Sequence, residues 1–186
     1  MKVLKWILII LAALALLFFF VGMPYLKEQT KKNSPQKTVV YTKNGMDLTV
    51  KYSSPFKKGR VIFGDLVPYD TVWRTGANEP TTFTTNSKIY IMNKELPAGT
   101  YSLWTIPGTE SWEVIFNKNV PDWGVTIMSG GKETTRIPEE DIVNVAVPSI
   151  NLVETVESFT IDFEDTGQLY LSLDWDKTKV RVPINN

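Results

Sequence analysis

The chain has 186 residues, a formal net charge of zero, and neither cysteine nor histidine. These two absences exclude disulfides, thiol nucleophiles, Ser-His-Asp triads and the usual histidine-containing zinc and iron sites. No side chain then has an unperturbed pKa near neutrality, so acid–base chemistry would need a shifted carboxylate or lysine. We expect no cofactor, and the composition leaves open only a hard cation with oxygen ligands as a metal.

The charges are unevenly placed along the chain. Residues 1–60 contain 11 Lys and Arg against 2 Asp and Glu, whereas residues 61–186 contain 9 against 18. The basic part flanks an apolar segment and suits anionic lipid headgroups. The acidic part argues against nucleic-acid binding, so we expect no nucleic-acid partner.

The apolar segment, Trp6–Met23, has 18 residues without a charge. As a helix it spans about 27 Å, close to the thickness of a bilayer's hydrocarbon core. We predict a transmembrane anchor over residues 1–26 that contacts the lipid bilayer through residues 3–23. A cleaved signal peptide is the alternative, but the segment is long for one and ends without a small-x-small site. The short basic N-terminal tail favours a domain outside the cytoplasm, although the flanking positive charges are nearly balanced.

The rest of the chain has the pattern of an all-β protein. Residues 27–37 are polar and predict a linker, and residues 38–186 predict one β-domain. Asn44-Gly45 lies between alternating runs and predicts a hairpin, since both turn positions need positive φ. About ten short strands predict an antiparallel β-sandwich or barrel. After the hairpin, the strand-like runs are 61–63, 81–85, 88–92, 100–106, 111–117, 125–128, 142–147, 159–163, 169–175 and 180–184.

Several smaller motifs have ordinary structural interpretations. Asp165-Thr166-Gly167 matches an aspartic-protease triplet, but that chemistry needs two such carboxylates, so we predict a turn. Pro138–Asp141 predicts one helical turn. Two pairs of acids, Asp162 with Glu164 and Asp174 with Asp176, predict a solvated outer face rather than a calcium or glycosidase site. Most of the tryptophans are expected in core and edge packing rather than on a sugar-binding surface.

The stretch Val72–Pro80 concentrates the most varied chemistry. Arg74 is a permanent cation that can fork onto a carboxylate or phosphate. One interpretation is a locked loop, with an Arg74–Glu79 ion pair and a turn bond from Asn78. The other is a polar ligand pocket. The candidate ligand contacts are Arg74, Asn78, Glu79 and Thr75, with Trp73 as a stacking wall and Arg60 as an auxiliary cation.

These residues also carry a family resemblance that covers residues 52–184. The chain resembles the bacterial domain-of-unknown-function family 2911, which implies an exported β-domain and supplies no activity. It departs from the family at Ser54-Pro55, where an Arg-Pro pair is usual, and near Asn144, where an arginine is frequent. The segments that carry the resemblance are 59–69, 72–79, 96–103 with 106–107, 112–117 and 123–124.

These observations favour a membrane-anchored envelope protein with a non-enzymatic binding domain. Its partner would be a small polar or anionic ligand, a glycan or an envelope protein. Two alternatives stay open: a carboxylate-dependent hydrolase of envelope sugars that acts through acids such as Glu79, and a purely structural subunit of a membrane complex.

Overall fold

The computed structural model describes residues 2–126, 129 and 133–186, and the chain divides into two compact units, residues 1–33 and 34–186. The first unit is helical. It consists of α1 (Lys2–Leu17), a π-helical turn (Phe18–Gly22) and α2 (Met23–Asn33). The helix Val3–Asn33 is long and apolar enough to cross a membrane, a property that signal sequences share.

The polar residues after the apolar segment are helical, whereas the sequence predicts a linker over 27–37. Lys, Glu and Gln are good helix formers, and Lys31 forms an ion pair with Glu28 one turn earlier. The helix ends where Pro35 disfavours helical backbone at Ser34. Strand β1 begins at Gln36, so only two residues connect it to α2.

The second unit is an antiparallel, sandwich-like β-domain of nine strands within the part of the chain that the structure describes. Neighbouring strands follow the order β1-β2-β3-β6-β7-β8-β9-β4-β5. A single 3₁₀ turn, Pro138–Glu140, precedes β8 as predicted. The strands are β1 (Gln36–Lys43), β2 (Met46–Ser53), β3 (Thr81–Thr85), β4 (Ile89–Ile91), β5 (Lys94–Leu96), β6 (Gly99–Pro107), β7 (Ser111–Asn117), β8 (Asp141–Asp165) and β9 (Leu169–Asn185).

The turn predictions are confirmed more closely than the strand lengths. Asn44 and Gly45 have φ values of +55° and +78° between β1 and β2. Asp165-Thr166-Gly167 forms the turn between β8 and β9. The predicted runs 142–147 and 159–163 merge into β8, β5 was not predicted, and 61–63 lies in a loop. The predicted strand 125–128 lies partly outside the described residues.

The last two predicted strands form one strand that folds back on itself. Gln168 Nε2, next to the start of β9, donates to the carbonyl of Ile184 near its end, at 2.9 Å. A straight strand would separate these residues by about 50 Å. The backbone has a φ of +54° at Asp176, and the pairing with β8 shifts register on both sides of Val156. We place the change of direction at Asp176.

Both faces of β6 are buried, whereas the sequence predicted only that one of them belongs to the core. Leu103 and Tyr101 belong to the main core, whereas Trp104 lies on the other face of the sheet. Trp104 Nε1 donates to Ser102 Oγ at 2.7 Å, and Ser102 Oγ donates to the Asn119 carbonyl at 2.6 Å. The segment that follows β7 therefore covers the outer face of β6. The same segment reaches the 72–80 stretch.

Candidate functional site

The 72–80 stretch is fixed to β6 through its backbone. Trp73 exchanges two backbone hydrogen bonds with Thr105, of 2.7 and 3.0 Å. The hydroxyls of Thr75 and Thr105 lie 3.1 Å apart, and Thr81 at the start of β3 donates to the Thr75 carbonyl. Thr75 is fully buried and has a φ of +55°. Thr75 therefore holds the loop in place and offers no surface for a ligand.

Gly76 is required by the close approach of this loop to the end of β2. Its φ is +140°, and a Cβ atom there would lie 2.8 Å from the Ser53 carbonyl oxygen. The next residue, Ala77, donates its N–H to the same oxygen at 3.3 Å. The Gly76 carbonyl accepts from Trp73 Nε1 at 3.2 Å. The loop is thus locked by its backbone.

Trp73 lies in an aromatic cluster of the core. Its side chain is only 9 % exposed, and its ring stacks on that of Trp175 with centroids 5.9 Å apart. Phe159 contacts it edge-on at 4.9 Å. Phe63 and Trp112 complete the cluster. Trp73 therefore packs in the core, and little of its ring is left for a ligand. The other tryptophans of the core, Trp104, Trp112 and Trp175, are buried as the sequence predicts.

Arg74 is half-buried and lies against Gly124 in the segment that follows β7. A Cβ atom at Gly124 would lie 2.5 Å from Arg74 Cδ, so only glycine admits the side chain in this position. Burial lowers the pKa of the guanidinium through desolvation. Arg74 Nε is buried and has no hydrogen-bond acceptor among the described residues. The ion pair that the sequence suggests between Arg74 and Glu79 stays a prediction.

Asn78 presents a second buried donor next to the same glycine. Its φ is +60°, and its carbonyl accepts from the Gly124 N–H at 3.2 Å. Its side chain is buried, and Nδ2 has no acceptor within the part of the chain that the structure describes. Asn78 therefore locks the loop through its backbone, while neither its Nδ2 nor Arg74 Nε has an acceptor among the described residues.

A shallow groove of about 270 Å³ passes beside this loop. Glu79 lines it, together with Asp122 from the segment that follows β7 and Lys51 from β2. The sequence gives no signal for Asp122 or Lys51, because residues so far apart meet only through the fold. The remaining lining residues are Gln36, Tyr52, Ser53, Pro80, Thr82 and Pro121.

The other candidate residues lie elsewhere. Arg60 is exposed and binds its own loop, donating from Nε to the Lys57 carbonyl at 3.0 Å and from Nη2 to the Phe56 carbonyl. None of the contacts found among the described residues connects it to Arg74. Asp176 binds Lys57 Nζ at 2.6 Å, whereas Asp174 binds Lys179. No group of three potential metal-binding side chains occurs among the described residues.

The strongest charge network lies on β8 and β9. Lys179 Nζ lies 2.6 Å from Glu164 and 3.1 Å from Asp174. Burial raises the pKa of Asp174, and the neighbouring Lys179 offsets this only in part. Burial alone would raise the pKa of Glu164 as well, but Lys179 and Arg181 outweigh it and the net shift is downward. The sequence identified the acids but not the lysine that joins them.

Comparisons with known proteins give a family and no activity. No curated protein and no solved structure matches the chain significantly. The model of the family described as "Protein of unknown function (DUF2911)" matches residues 34–184, which is the β-domain. This agrees with the resemblance carried by the 72–79 segment and its neighbours. The chain belongs to this family.

Proposed function

We propose that this protein is a membrane-tethered, non-enzymatic binding module whose β-domain takes a small ligand with an anionic group at Arg74 and Asn78. One observation carries the proposal. Arg74 Nε and Asn78 Nδ2 are both buried and lack an acceptor among the described residues, and the two residues lie on either side of one glycine, which contacts the Arg74 stem and the Asn78 carbonyl.

The energetics favour an external acceptor. A buried donor without a partner costs about 1–3 kcal/mol, and more when the group is charged. A carboxylate or phosphate supplies acceptor oxygens for donors of this kind, and its charge would offset the desolvation that lowers the Arg74 pKa. Charge-assisted hydrogen bonds of this kind are also the stronger ones.

The tether and its orientation belong to the same proposal. The apolar helix Val3–Asn33 supports a single-pass anchor, and the absence of a small-x-small site argues against its cleavage. The basic N-terminal tail favours a β-domain outside the cytoplasm, in a bacterial cell envelope as the family resemblance implies. An envelope location would expose the site to anionic glycans or small metabolites.

Thermal unfolding of the full chain in detergent tests the binding site. Sodium phosphate and sodium acetate are compared with sodium chloride at matched ionic strength. A ligand at about 100 times its Kd adds about 2.7 kcal/mol to stability. For a domain of this size that is a rise in Tm of several degrees. We expect this rise in the wild type with at least one of the two anions.

Two variants and a control locate the effect. Arg74→Met removes the cation, and Gly124→Ala displaces the Arg74 side chain by adding a Cβ against Cδ. Both should abolish the anion-dependent rise. Arg136→Lys is the control, because Arg136 already pairs with Asp141. Equal rises in wild type, Arg74→Met and Gly124→Ala would refute binding at this site, and so would no rise in the wild type.

A second candidate function rests on the groove. Glu79 and Asp122 both line it, and a glycosidase needs two carboxylic acids at one cleft. The proposal is a hydrolase of envelope sugars. Purified cell-wall glycan incubated with the full chain should release reducing ends, and Glu79→Gln or Asp122→Asn should remove the activity. Equal release by wild type and both variants would exclude it.

A further inference from the structure

The first strand of the β-domain leaves one edge of the sheet open. β1 stands at the end of the strand order and pairs only with β2 among the described residues. It has eight residues without proline, and its pairing with β2 has no register shift. The strand at the other end, β5, has only three residues. β1 therefore lacks the short length, the proline and the bulge with which proteins often protect an edge.

The backbone groups that face this edge belong to Thr38, Val40 and Thr42. The two-residue turn makes Lys43 and Met46 a hydrogen-bonded pair. Such pairs alternate along an antiparallel ladder, so every second residue of β1 points its N–H and C=O away from β2. These groups can pair with a further strand, which is how an open edge binds an extended chain.

The contacts of β1 with β8 come from its core side. Tyr41 is buried, its hydroxyl donates to Asp165 at 2.9 Å, and its ring lies 5.8 Å from that of Phe163. The side chains on the other face of β1 are exposed, and Val40 is 56 % exposed.

The sequence of β1 is almost the same in both directions. Around Val40 it reads Lys-Thr-Val-Val-Tyr-Thr-Lys. When two copies pair in opposite directions about this residue, Thr38 faces Thr42 of the second copy. Val39 then faces Tyr41 of the second copy. Threonine pairs and pairs of an aromatic with a β-branched side chain both stabilise antiparallel sheets. β1 thus has the self-complementarity that a two-fold interface between identical chains needs.

The lysines at the two ends of this sequence oppose the pairing. In the same register Lys37 lies opposite Lys43 of the second copy, and like charges in that position destabilise a sheet. Asp165 lies 3.9 Å from Lys43 and offsets part of its charge. Both lysines are exposed, so salt screens their repulsion. We expect the repulsion to make the contact weak and salt-dependent rather than to prevent it.

We propose that β1 binds a second copy of this chain, and that the two β1 strands form an antiparallel pair centred on Val40. Thr38, Val40 and Thr42 each exchange two backbone hydrogen bonds with the second copy. One pair of strands is a small contact, so the association is reversible and depends on concentration. The proposal concerns β1 alone and depends neither on the Arg74 site nor on the membrane tether.

The absence of cysteine permits a cross-linking test of this register. Val40→Cys places two thiols at the centre of the pair, where facing Cα atoms lie about 5.5 Å apart, within the range of a disulfide. Thr42→Cys is the matched control, because Thr42 is exposed on the same face of β1. Its two copies lie about 13 Å apart along the strands, too far for a disulfide.

Each full-length variant is oxidised with copper phenanthroline in detergent, and a non-reducing gel and intact mass measure the linked dimer. Val40→Cys should give at least about fivefold more of it than Thr42→Cys. Equal amounts, more at Thr42→Cys, or none at Val40→Cys would overturn the proposal.

A charge exchange tests the role of the lysines. Lys37→Glu converts both contacts between Lys37 and Lys43 into attractive ones, so sedimentation of the full chain at low salt should give a dimer Kd about tenfold lower. Salt should strengthen the wild-type dimer and weaken that of Lys37→Glu. Lys118→Glu is the control, because it changes the net charge equally beside β7, four strands from β1 in the sheet order. Equal effects of the two substitutions would contradict the proposed register.

A backbone substitution completes the test. Val40→Pro removes an N–H that faces the edge and leaves the bonds to β2 in place, so it should abolish the dimer. Val40→Ala keeps this N–H and should retain the dimer. Urea unfolding confirms that both variants are folded. A dimer that Val40→Pro leaves intact would overturn the proposal, and so would a monomeric wild type at high salt, which would leave the edge to a strand of a different protein.

Discussion

Two half-buried cations of the β-domain differ in what surrounds them. Lys179 on β9 lies between Glu164 and Asp174, at 2.6 and 3.1 Å. Arg74 is packed against Gly124, its pKa is lowered by desolvation, and its Nε lacks an acceptor among the described residues. Acids beside a buried cation offset the free-energy cost of removing its charge from water. A buried cation without such acids keeps this desolvation cost, and an external anion can remove it.

The largest expected effect tests whether the 72–80 loop is held by its backbone. Gly76→Ala places a Cβ 2.8 Å from the Ser53 carbonyl at a φ of +140°. We expect a loss of about 3 kcal/mol in the free energy of unfolding, since such backbone costs about 1–3 kcal/mol before the steric contact is added. Urea unfolding measures it.

The matched control for this loss is Gly45→Ala. Gly45 also has positive φ, but a Cβ there meets nothing within 4 Å. Its cost should stay near 1 kcal/mol. If the two variants lost the same stability, the close contact with Ser53 would not be what locks the loop.

The next effect tests the paired cation. Lys179→Met removes the charge that Glu164 and Asp174 share, and leaves two partly buried carboxylates close together. We expect a loss of about 2 kcal/mol at pH 7, below the 3–5 kcal/mol of a fully buried pair because these side chains keep some solvent contact. Urea unfolding at pH 7 measures this loss, and a variant as stable as wild type would show that the network contributes nothing.

Arg74, whose Nε has no acceptor among the described residues, should behave in the opposite way. Arg74→Met keeps the length of the stem and removes a desolvated charge without breaking an ion pair. We expect the free energy of unfolding without added anion to rise by about 1 kcal/mol, because apolar replacement of a costly buried charge is neutral or stabilising. A loss of 2 kcal/mol or more, like that of Lys179→Met, would show that Arg74 has an internal role and would remove the contrast.

The sequence predicted much of the fold because turns and alternation are local. Asn44-Gly45 set the first hairpin, and the turn at Asp165–Gly167 set the last. The strand lengths were missed because the bend of β9 at Asp176 depends on pairing with residues far along the chain. Only part of the candidate site could be predicted, because its other part also depends on contacts between residues far apart in the chain. Arg74 and Asn78 were identified from their type, whereas Gly124 acquires its role only through contact with both.

The smallest effect separates the two acids beside Lys179 by their pH dependence. The folded pKa of Glu164 is lowered, despite burial that would raise it, because Lys179 and Arg181 favour its charged form. A lowered pKa means that its contribution is fully present above the unfolded value near 4.5 and is lost as pH falls through the folded value. Glu164→Gln should therefore be less stable than wild type by about 1 kcal/mol at pH 7, and the difference should vanish in acid.

Asp174 should behave differently, because burial raises its folded pKa and protonation therefore favours the folded state. The stability of the wild type relative to Asp174→Asn should not fall as the pH is lowered. Urea unfolding from pH 7 to pH 3 measures both variants. If the Glu164→Gln difference stayed constant over that range, the Lys179 network would act through packing and not through charge.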